Sequence, residues 1–567
     1  MRKLAIQKAV ADIVETNKTF ELSTAVIHNI EYKVFKNVPH TLPDMLKQSY
    51  EAHDDGDADY LVYQNQRWTY AEFCEDIKRA AWLMQRDLNV TKGARIAIAM
   101  RNYPDLLIIK MAIASLGATV VFLNAWWTTQ ELEYALSDSG AKIVYADGPR
   151  VDRLKPLQSL LSLNIIGVRD AASDFVNGYS AAMKEPTVTD WPRVDIDADD
   201  DFAIMYSSGT TGHPKGVVQT HRGAISAVYT WLMQESLNER LCPTPDSPMQ
   251  SPLPPAILVV TPLFHVTATH PMFLLSLPAG AKVCLMYKWD ANEAVRLISE
   301  EKITRFLGVP TQSAELMDAA RLMGTSLDTL DYLGSGGAKR PASQVAELQK
   351  AFPNANLATG WGMTETNACG IGLIGDEYLD NPDAAGRLYP PIQELAIWDD
   401  DGQEVPTGAI GELTIKSACN MRCYLNKPEA TDEVLQNGWL RTGDLGKIDE
   451  DDIVTILDRK KNIVIRGGEN IACLDVEGAL HRHPAISESC AFSVPDDRLG
   501  EVVGAGVQIR KDMQATQEDI KAFLAQEISH FKIPEYIWIQ TDPLPRGPTD
   551  KLDRRILRTA CLETLKT

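Results

Sequence analysis

Cysteine is sparse in this chain of 567 residues, with nine scattered along it. Cys419 and Cys423 lie close together, but no second cysteine or histidine pair completes a set of metal ligands. Structural zinc sites need four ligands at short, paired spacings, so the sequence argues against one. Scattered cysteines without a disulfide framework are typical of reduced proteins, and we expect a cytoplasmic location.

Positive charge is not in excess either, since 56 Lys and Arg residues stand against 77 Asp and Glu residues, for a net charge of -21. Nucleic acids are bound largely through phosphate contacts with a basic surface, so we expect no nucleic-acid partner. A nucleotide is not excluded, because the backbone N–H groups of a small local site can hold its phosphates.

No uninterrupted apolar run of membrane-spanning length is present. The nearest candidate, Leu106 to Leu123, is interrupted by Lys110 and divided by Gly117. Its composition predicts a buried helix followed by a buried strand rather than a transmembrane segment. Early polar residues also argue against a secretory signal: they are Gln7, Lys8 and Asp12. A homodimer and a peripheral contact with a membrane are left open.

Helical and strand patterns alternate along the N-terminal half. The predicted helices cover residues 70–88, 105–116 and 130–137, and the predicted strands cover residues 95–100, 118–122 and 142–145. Such alternation is typical of stacked α/β units with largely parallel sheets. Residues 237–255 are rich in proline and serine and are predicted to form a surface loop.

The pattern changes in the last third of the chain. Short strands and turns are predicted from 396 to 456, which indicates a β-rich subdomain. The charged stretch from Asp458 to Asn462 follows, and about a hundred residues remain, a usual size for a small domain. A run of charges is often only a solvated face, but its place at this change favours a junction. We expect an N-terminal α/β domain, residues 1–458, and a C-terminal α+β domain, residues 459–567.

The clearest chemical signal is a loop rich in glycine and hydroxyl groups, which follows the apolar segment from Phe202 to Met205. Glycines let backbone N–H groups converge without Cβ obstruction, and hydroxyls and a lysine add donors suited to a polyphosphate. Pro214 stands where a Walker loop has glycine, so that motif is excluded; a plain flexible turn is the alternative. The predicted phosphate contacts are Ser207, Ser208, Gly209, Thr210, Thr211, Gly212 and Lys215.

With this loop and the segments that follow it in order, the chain resembles the adenylate-forming superfamily of acyl-CoA synthetases, luciferases and peptide-synthetase adenylation domains. The resemblance covers nearly the whole chain. It implies that the protein uses ATP and Mg2+ to activate a carboxylic acid as an acyl-adenylate, with coenzyme A as the acceptor. It also implies that the small C-terminal domain is mobile.

The resemblance assigns the adenine contacts to two glycine-rich segments. Gly334 to Lys339 is similar to the family's adenine-side loop. In the segment Gly360 to Thr366, a flat aromatic between two glycines can lie against a purine. That role is implied for Trp361, where the family more often has tyrosine, with core packing as the alternative. The implied contacts are Gly336, Gly337, Ala338, Gly360, Trp361 and Gly362.

The phosphate, metal and ribose contacts follow from the same likeness. Thr364 is implied to contact phosphate, and Glu365 to hold Mg2+, which needs few protein carboxylates when phosphates complete its shell. Asp444 and Arg459 are implied to bind the ribose. Lys461 falls at the family's hinge position between the two domains.

The catalytic lysine implied by the resemblance is Lys551. Attack of a carboxylate on the α-phosphate brings two anions together, and a mobile cation can stabilise the charge that spreads in the transition state. The family usually has glycine before this lysine, and here Asp550 stands there. A carboxylate at that place could tether or reorient the lysine.

The acyl pocket is implied to be lined by the segment Pro262 to Ala268. His265 is expected to abut the substrate carboxylate, with simple packing as the alternative. No acidic residue occurs between Thr261 and Leu285, which argues against an amino-acid substrate. Long-chain relatives often have a tryptophan gate just after the pocket histidine, whereas this chain has Thr269.

The acceptor side resembles the loop that lines the pantetheine path of coenzyme A after domain rotation, here Gly467, Gly468 and Glu469. The stretch from Asn437 to Lys461 resembles the extended motif of fatty-acyl-CoA synthetases and favours a medium- or long-chain fatty acid. The alternatives are an aryl-acid CoA ligase, an acyl-AMP ligase that loads a carrier protein, and a non-catalytic acyl-nucleotide sensor.

Overall fold

A computed structural model describes residues 2–53, 56–169, 179, 183–184, 190–207, 214–241, 253–466, 469–547 and 551–565. Within these ranges the strands form one sheet of nine strands, one of seven, two of five and one of two. The two large sheets carry most of the N-terminal part. A single apolar core cluster contains buried side chains from strands of both, so the two sheets and the helices between them pack as one body.

Five strands of the seven-stranded sheet are parallel: 95–99, 119–122, 143–147, 164–168 and 201–207. Strand 215–220 runs antiparallel to strand 201–207, and strand 423–424 runs antiparallel to strand 215–220. In spatial order its strands are Cys423–Tyr424, Lys215–Thr220, Asp201–Ser207, Thr119–Phe122, Arg95–Ala99, Ile143–Asp147 and Asn164–Val168. Strand 201–207 therefore leads directly to the predicted phosphate loop.

The nine-stranded sheet is parallel in its centre and antiparallel at both edges. In spatial order its strands are Arg387–Leu388, Ile371–Ile374, Asn356–Trp361, Tyr332–Ser335, Arg305–Gly308, Ala256–Val259, Lys282–Leu285, Asp59–Tyr63 and Gln66–Thr69. Its parallel strands end at one edge, where loops from neighbouring strands meet. The segments 334–339 and 360–366 lie at that edge.

Two smaller sheets mark the change predicted after residue 396. The first contains Gln393–Trp398, Gly411–Ser417, Leu435–Gln436, Trp439–Ile448 and Val454–Arg459. The second contains Ile463–Arg466, Glu469–Ala472, Ile486–Asp496, Gly500–Ile509 and Tyr536–Gln540. The hairpin Leu22–Ile27 and Ile30–Phe35 forms the two-stranded sheet.

The longer α-helices are Arg2–Thr16, Leu42–His53, Tyr70–Leu88, Pro104–Ser115, Thr129–Ser139, His221–Leu241, Ala291–Glu300, Pro310–Met323, Ala342–Ala351, Cys473–His481, Gln517–Glu527 and Arg554–Thr564. Shorter α-helices cover Gly148–Leu154, Gln158–Leu161, Val266–Ala268, Asp376–Asp380 and Pro428–Val434. The segment Thr269–Leu274 is a π-helix. Turns of 3-10 helix cover Lys18–Phe20, Lys155–Leu157, Thr364–Thr366, Lys460–Asn462 and His530–Lys532.

The periodic patterns of the N-terminal half are confirmed to within a few residues. Helix Tyr70–Leu88 begins at a capping box, in which the Thr69 side chain accepts from the backbone of Glu72 and the Glu72 side chain accepts from Thr69. The apolar run is indeed a helix, Pro104–Ser115, followed by a strand, Thr119–Phe122. Among the described residues, no helix is both long and apolar enough to cross a membrane.

One prediction is wrong in part. Residues 237–241 were predicted to start a surface loop, but they form the last turn and a half of helix His221–Leu241. Leu237 is 2% exposed and packs in the central core, so burial of the apolar face of this helix outweighs the weak local signal. Residues 242–252 of that predicted loop lie outside the described residues.

The predicted fold class is confirmed: a large N-terminal part of stacked α/β sheets with a β-rich subdomain, and a small C-terminal α+β part. The two parts meet at the 3-10 turn Lys460–Asn462. Asp458, in the last strand before this turn, accepts from the backbone N–H of Leu474 at 2.9 Å and from the side chain of Asn462 at 3.2 Å. One carboxylate thus ties the N-terminal sheet to the start of a C-terminal helix.

Replacing Asp458 by Ala is expected to destabilise the docked C-terminal part. Asp458 is 1% exposed, and the loss of a buried acceptor costs about 1–3 kcal/mol. Urea unfolding, followed with limited proteolysis near residue 461, measures the effect. The matched control is Asp400→Ala, since this exposed carboxylate also contacts the turn, through Lys460, and exposed ion pairs contribute little. Equal stability of the two variants would contradict the assignment.

Candidate active site

A cleft of about 2790 Å³ lies between the loop edge of the large sheets and the C-terminal part. Its walls come from segments far apart in the sequence. The residues of the predicted site that line it are Ser207, Lys215, His265, Gly337, Ala338, Gly360, Trp361, Gly362, Thr364, Glu365, Asp444, Arg459, Lys461 and Lys551. The fold therefore brings most of the described site residues to one place.

Other predicted residues are placed differently or not at all. Gly336 lies beside this set, next to Gly360. A Cβ atom placed on Gly336 would have one neighbour within 4 Å, the carbonyl oxygen of Gly360 at 3.8 Å. Glu469 is exposed on the hairpin that begins the C-terminal sheet and does not line the cleft. The remaining predicted residues lie outside the described ranges: Ser208, Gly209, Thr210, Thr211, Gly212, Gly467, Gly468 and Asp550.

Glu365 is a buried carboxylate at the wall of the cleft, with 5% exposure. Its Oε1 accepts a hydrogen bond from Tyr424 Oη at 2.9 Å. The Lys215 ammonium lies 4.6 Å from the centroid of the same tyrosine ring. Tyr424 thus separates a carboxylate from a cation and keeps both at the cleft, where a metal-bound polyphosphate would need both.

Hydrogen bonds from other segments hold the backbone of Thr364 and Glu365 in place. Gln219 Nε2 donates to the carbonyl of Thr364 at 2.8 Å, and the backbone N–H of Met421 donates to the carbonyl of Glu365 at 2.7 Å. Both donors belong to segments that lead into the seven-stranded sheet. The backbone of this turn is therefore held by a rigid support, and the side chains of Thr364 and Glu365 line the cleft.

Asp444 joins three segments of the site. Its Oδ2 accepts from Trp361 Nε1 at 2.9 Å, and its Oδ1 is 2.8 Å from Arg459 Nε. Asp444 and Arg459 are direct partners on neighbouring antiparallel strands, so the fold itself sets this pair. Trp361 reaches the same carboxylate from the edge of the nine-stranded sheet.

Burial dominates the acidity of this carboxylate. Asp444 is 3% exposed, and desolvation raises its pKa, while the Arg459 guanidinium and the Trp361 indole N–H act in the opposite direction. Both neighbours therefore favour the ionised form that can accept hydrogen bonds from a sugar hydroxyl.

Lys551 lies on the opposite side of the cleft, carried by the C-terminal part. Lys551 lies against Gly337 of the predicted adenine-side loop. A Cβ atom placed on this glycine would be only 2.7 Å from Lys551 Cε and 3.0 Å from its Nζ. Burial, and then the charge of Arg459, lower the pKa of Lys551 to about 8. The side chain has thus entered the nucleotide side of the cleft.

His265 is held neutral beside this lysine. Burial, with a smaller contribution from Lys551, lowers its pKa to about 3. Its Nδ1 accepts from the backbone N–H of Thr267 at 3.4 Å, at the start of the short helix Val266–Ala268. A neutral imidazole whose Nδ1 accepts a hydrogen bond carries its proton on Nε2, so it can donate one hydrogen bond to an anion.

Several cations lie close together on the nucleotide side of the cleft. Burial lowers the pKa of Lys461, and Arg459 and Lys215 lower it further, whereas Asp444 and Glu365 raise it. Arg459 also lowers the pKa of Lys551. Cations that destabilise one another at short range favour a multivalent anion between them. The arrangement fits a nucleoside triphosphate.

Two supporting residues were not predicted from the sequence. Tyr424 and Gln219 carry no motif of their own, and each is far along the chain from the carboxylate or carbonyl that it contacts. Only the pairing of strands 215–220 and 423–424 brings them to the site. No local sequence signal could have identified either one.

Comparison with protein families matches residues 49–425 to the AMP-binding enzyme model and residues 475–551 to the AMP-binding enzyme C-terminal domain model. The site and fold define an adenylate-forming ligase, and the chain belongs to the AMP-binding enzyme family, as an acyl-CoA synthetase of the adenylate-forming superfamily. It is an AMP-forming acid–thiol ligase that uses ATP, Mg2+ and coenzyme A. Its activity is that of an acyl- or aryl-CoA ligase.

Curated relatives differ in the acid that their names give. The long-chain-fatty-acid–CoA ligase FadD13 of Mycobacterium tuberculosis is 29% identical over 493 residues, which are 87% of this chain and 93% of that protein. The 4-coumarate–CoA ligase 3 of Oryza sativa is 30% identical over 499 residues, 87% of each chain. Sequence similarity therefore leaves the acid unresolved.

Solved structures share the fold over almost the whole chain. A fatty acyl CoA synthetase from Mycobacterium tuberculosis superposes with a TM-score of 0.71 at 27% identity and covers 93% of this chain and 99% of that one. The o-succinylbenzoate CoA synthetase of Bacillus subtilis, in complex with its acyl-adenylate intermediate, gives a TM-score of 0.76 at 26% identity, with coverage of 92% and 98%.

Replacing Trp361 by Phe is expected to weaken the use of ATP. The change keeps an aromatic ring but removes the N–H that reaches Asp444. A hydrogen bond to a charged group contributes about 1.5–3 kcal/mol, so kcat/KM for ATP should fall by about tenfold or more. Loss of this donor also raises the pKa of Asp444 further, so the acidic limb of the pH profile should move to higher pH.

The control for this variant is Trp398→Phe, because Trp398 packs against Trp439 and does not line the cleft. Steady-state kinetics with varied ATP between pH 5 and pH 9 compare the two. An acidic limb that stays in place in Trp361→Phe would show that the indole N–H does not control Asp444.

Proposed function

We propose that this ligase activates a fatty acid. In the first half-reaction a carboxylate oxygen attacks the α-phosphate of ATP, the bond to the β-phosphate breaks, and acyl-AMP and pyrophosphate form. In the second, the thiol of coenzyme A attacks the acyl carbon, giving acyl-CoA and AMP and releasing a proton. The observation that carries this two-step reaction is the convergence of Lys551, Glu365 and Asp444 on one cleft.

The nucleotide is proposed to bind with its triphosphate between Lys215 and the turn 364–366. Lys215, Lys461 and Arg459 supply positive charge there, and Asp444 accepts from the ribose. One buried carboxylate beside phosphate oxygens suits Mg2+, which prefers oxygen ligands and keeps few from protein. Glu365 would hold the ion, whose charge offsets that of the triphosphate.

Lys551 is proposed to stabilise the first transition state. The fatty-acid carboxylate and the α-phosphate are both anionic, and the ammonium lies at the adenine-side loop, where it can bridge them. Neutral His265 can donate from Nε2 to the incoming carboxylate without adding a charge. The preorganised donors thus act where negative charge accumulates.

For the second half-reaction, we propose that a different surface of the C-terminal part faces the cleft. Lys461 lies in the 3-10 turn that connects the two parts, and we propose that rotation there withdraws Lys551. Glu469, which is exposed in this arrangement, would then approach the cleft and line the path of coenzyme A. The structure described above would accordingly be the one that makes the adenylate.

The fatty-acid assignment rests on the absence of acidic side chains between Thr261 and Leu285 and on the likeness of the stretch 437–461 to fatty-acyl-CoA synthetases. Pyrophosphate release with purified enzyme, ATP and Mg2+ tests it directly. We expect saturated fatty acids to support release at rates at least about tenfold above coumarate and benzoate. The reverse preference would replace this proposal with an aryl-acid CoA ligase.

Lys551 gives a second test, through the pH dependence of each half-reaction. With a pKa of about 8, the ammonium loses its charge as the pH rises through that value, so kcat/KM for pyrophosphate release should fall above about pH 8. Lys551→Arg should remove this alkaline limb, because a guanidinium stays charged.

Lys551→Ala should lower pyrophosphate release by about 10²–10³-fold, as the loss of a charge-stabilising donor does in other enzymes. Thioester formation from synthetic acyl-AMP and coenzyme A should change only a few fold in the same variant. Equal losses in both half-reactions would show that Lys551 supports the fold or the nucleotide rather than the first step.

A further inference from the structure

His270 is a buried histidine that takes no part in the proposed reaction. It is 0% exposed and lies in the π-helix Thr269–Leu274, a type of turn that is frequent at functional sites. Its ring centroid lies 5.9 Å from that of Phe202. Its Nε2 is 3.0 Å from Oδ1 of Asn367, which is 97 residues further along the chain. His270 therefore connects this π-helix to the segment that carries Glu365.

Asn367 is the residue that ends the 3-10 turn Thr364–Thr366. Its φ of 52° and ψ of 36° are left-handed, a conformation that asparagine adopts more readily than most residues. In this conformation its backbone N–H donates to the carbonyl of Thr364 at 3.3 Å and closes the turn. The backbone of Asn367 thus helps to set where the side chains of Thr364 and Glu365 lie.

The Asn367 side chain is held on three sides. Its Nδ2 donates to the carbonyl of Cys419 at 2.7 Å, and its Oδ1 faces His270 Nε2. On the third side, a Cβ atom placed on Gly223 would lie only 2.8 Å from Asn367 Nδ2. Asn367 is 0% exposed, so solvent cannot replace a partner that is lost.

The hydrogen bonds around His270 determine which ring nitrogen carries the proton. Because Asn367 Nδ2 donates to Cys419, Oδ1 is the atom that meets the ring, and this oxygen can only accept. His270 Nε2 therefore donates, and Nδ1 accepts from the Thr269 hydroxyl at 2.8 Å. Burial, and then the charge of Lys110, lower the pKa of His270 well below its ordinary value, whereas its hydrogen bonds act in the opposite direction. The imidazole is thus neutral, with one donor directed at Asn367.

We infer that His270 is a positioning residue for the turn that carries Glu365: its Nε2–H holds Asn367 in the left-handed conformation, and Asn367 closes that turn. The inference rests on the proposed role of Glu365 as the carboxylate that holds Mg2+. His270 does not line the cleft, so it acts through Asn367. Binding of the nucleotide with its metal should therefore depend on a histidine that does not touch either one.

The test measures ATP binding to the full-length enzyme by titration calorimetry, once with Mg2+ and once with EDTA, and needs no acid substrate. We expect the wild type to bind ATP more tightly with Mg2+. Glu365→Gln should remove most of this difference, because the charge that holds the ion is lost. His270→Phe should lower the ratio of the two dissociation constants by about fivefold, the effect expected when a buried acceptor loses its partner. Binding in EDTA should stay nearly unchanged.

Two further variants separate positioning from simple packing. His270→Gln can place an amide Nε2–H near the position of the imidazole Nε2–H, so it should restore most of the wild-type ratio. Asn367→Gly keeps the left-handed backbone accessible but removes the side chain. It should therefore match His270→Phe, and it replaces that variant should His270→Phe fail to fold.

His221→Phe is the matched control. His221 is also 0% exposed, and its ring centroid lies 5.7 Å from that of Phe202, but its Nδ1 accepts from the backbone N–H of Leu42 at 3.1 Å. This variant loses a buried hydrogen bond that does not involve the turn. It should be less stable than the wild type but keep the wild-type ratio.

A wild-type ratio in folded His270→Phe or Asn367→Gly would overturn the inference and leave the role of Glu365 intact. A ratio in His270→Gln as low as that in His270→Phe, or an equal loss in His221→Phe, would also overturn it, because the effect would then come from core packing. If Glu365→Gln keeps the full wild-type ratio, the proposed role of Glu365 is wrong and the inference fails with it.

Discussion

The contact between Asp444 and its two partners is the constraint on which the site depends. A buried carboxylate is costly unless its charge is balanced and its oxygens accept hydrogen bonds, and here Arg459 and Trp361 meet both needs. The three residues come from the edge of the nine-stranded sheet, from the β-rich subdomain and from the last strand before the junction. Their pairing fixes the position of the nucleotide site relative to the small C-terminal part.

A group of cations lies around this contact. Lys215, Lys461, Arg459 and Lys551 lie on different elements. Burial and the charge of Arg459 lower the pKa values of Lys461 and Lys551, and the charge of Lys215 lowers that of Lys461 further. Four like charges so close together repel one another when the cleft contains only water. A bound polyanion relieves the repulsion between these cations, and this relief contributes to its binding free energy. The fold thus positions the cations for the nucleotide before it binds.

Much of this could be predicted from the sequence, for a physical reason. Helix Tyr70–Leu88 could be predicted because its apolar residues recur along one buried face. Strand Thr119–Phe122 could be predicted because it is buried on both faces and is therefore apolar. Glu365 and Asp444 lie in short motifs whose backbone shape is local. Tyr424 and Gln219 could not be found in this way, because their roles arise from strand pairing. The end of helix His221–Leu241 was missed because tertiary packing, rather than local composition, determines it.

Asp458 has a consequence for the order of events. Its carboxylate accepts from Leu474 across the turn that contains Lys461, so any rotation at that turn must break this bond and expose the start of helix Cys473–His481 to water. In the proposed cycle, this hydrogen bond favours the arrangement in which Lys551 lies in the cleft. In the proposed cycle, one hydrogen bond at the start of a helix therefore favours formation of the adenylate before the thiol of coenzyme A reacts.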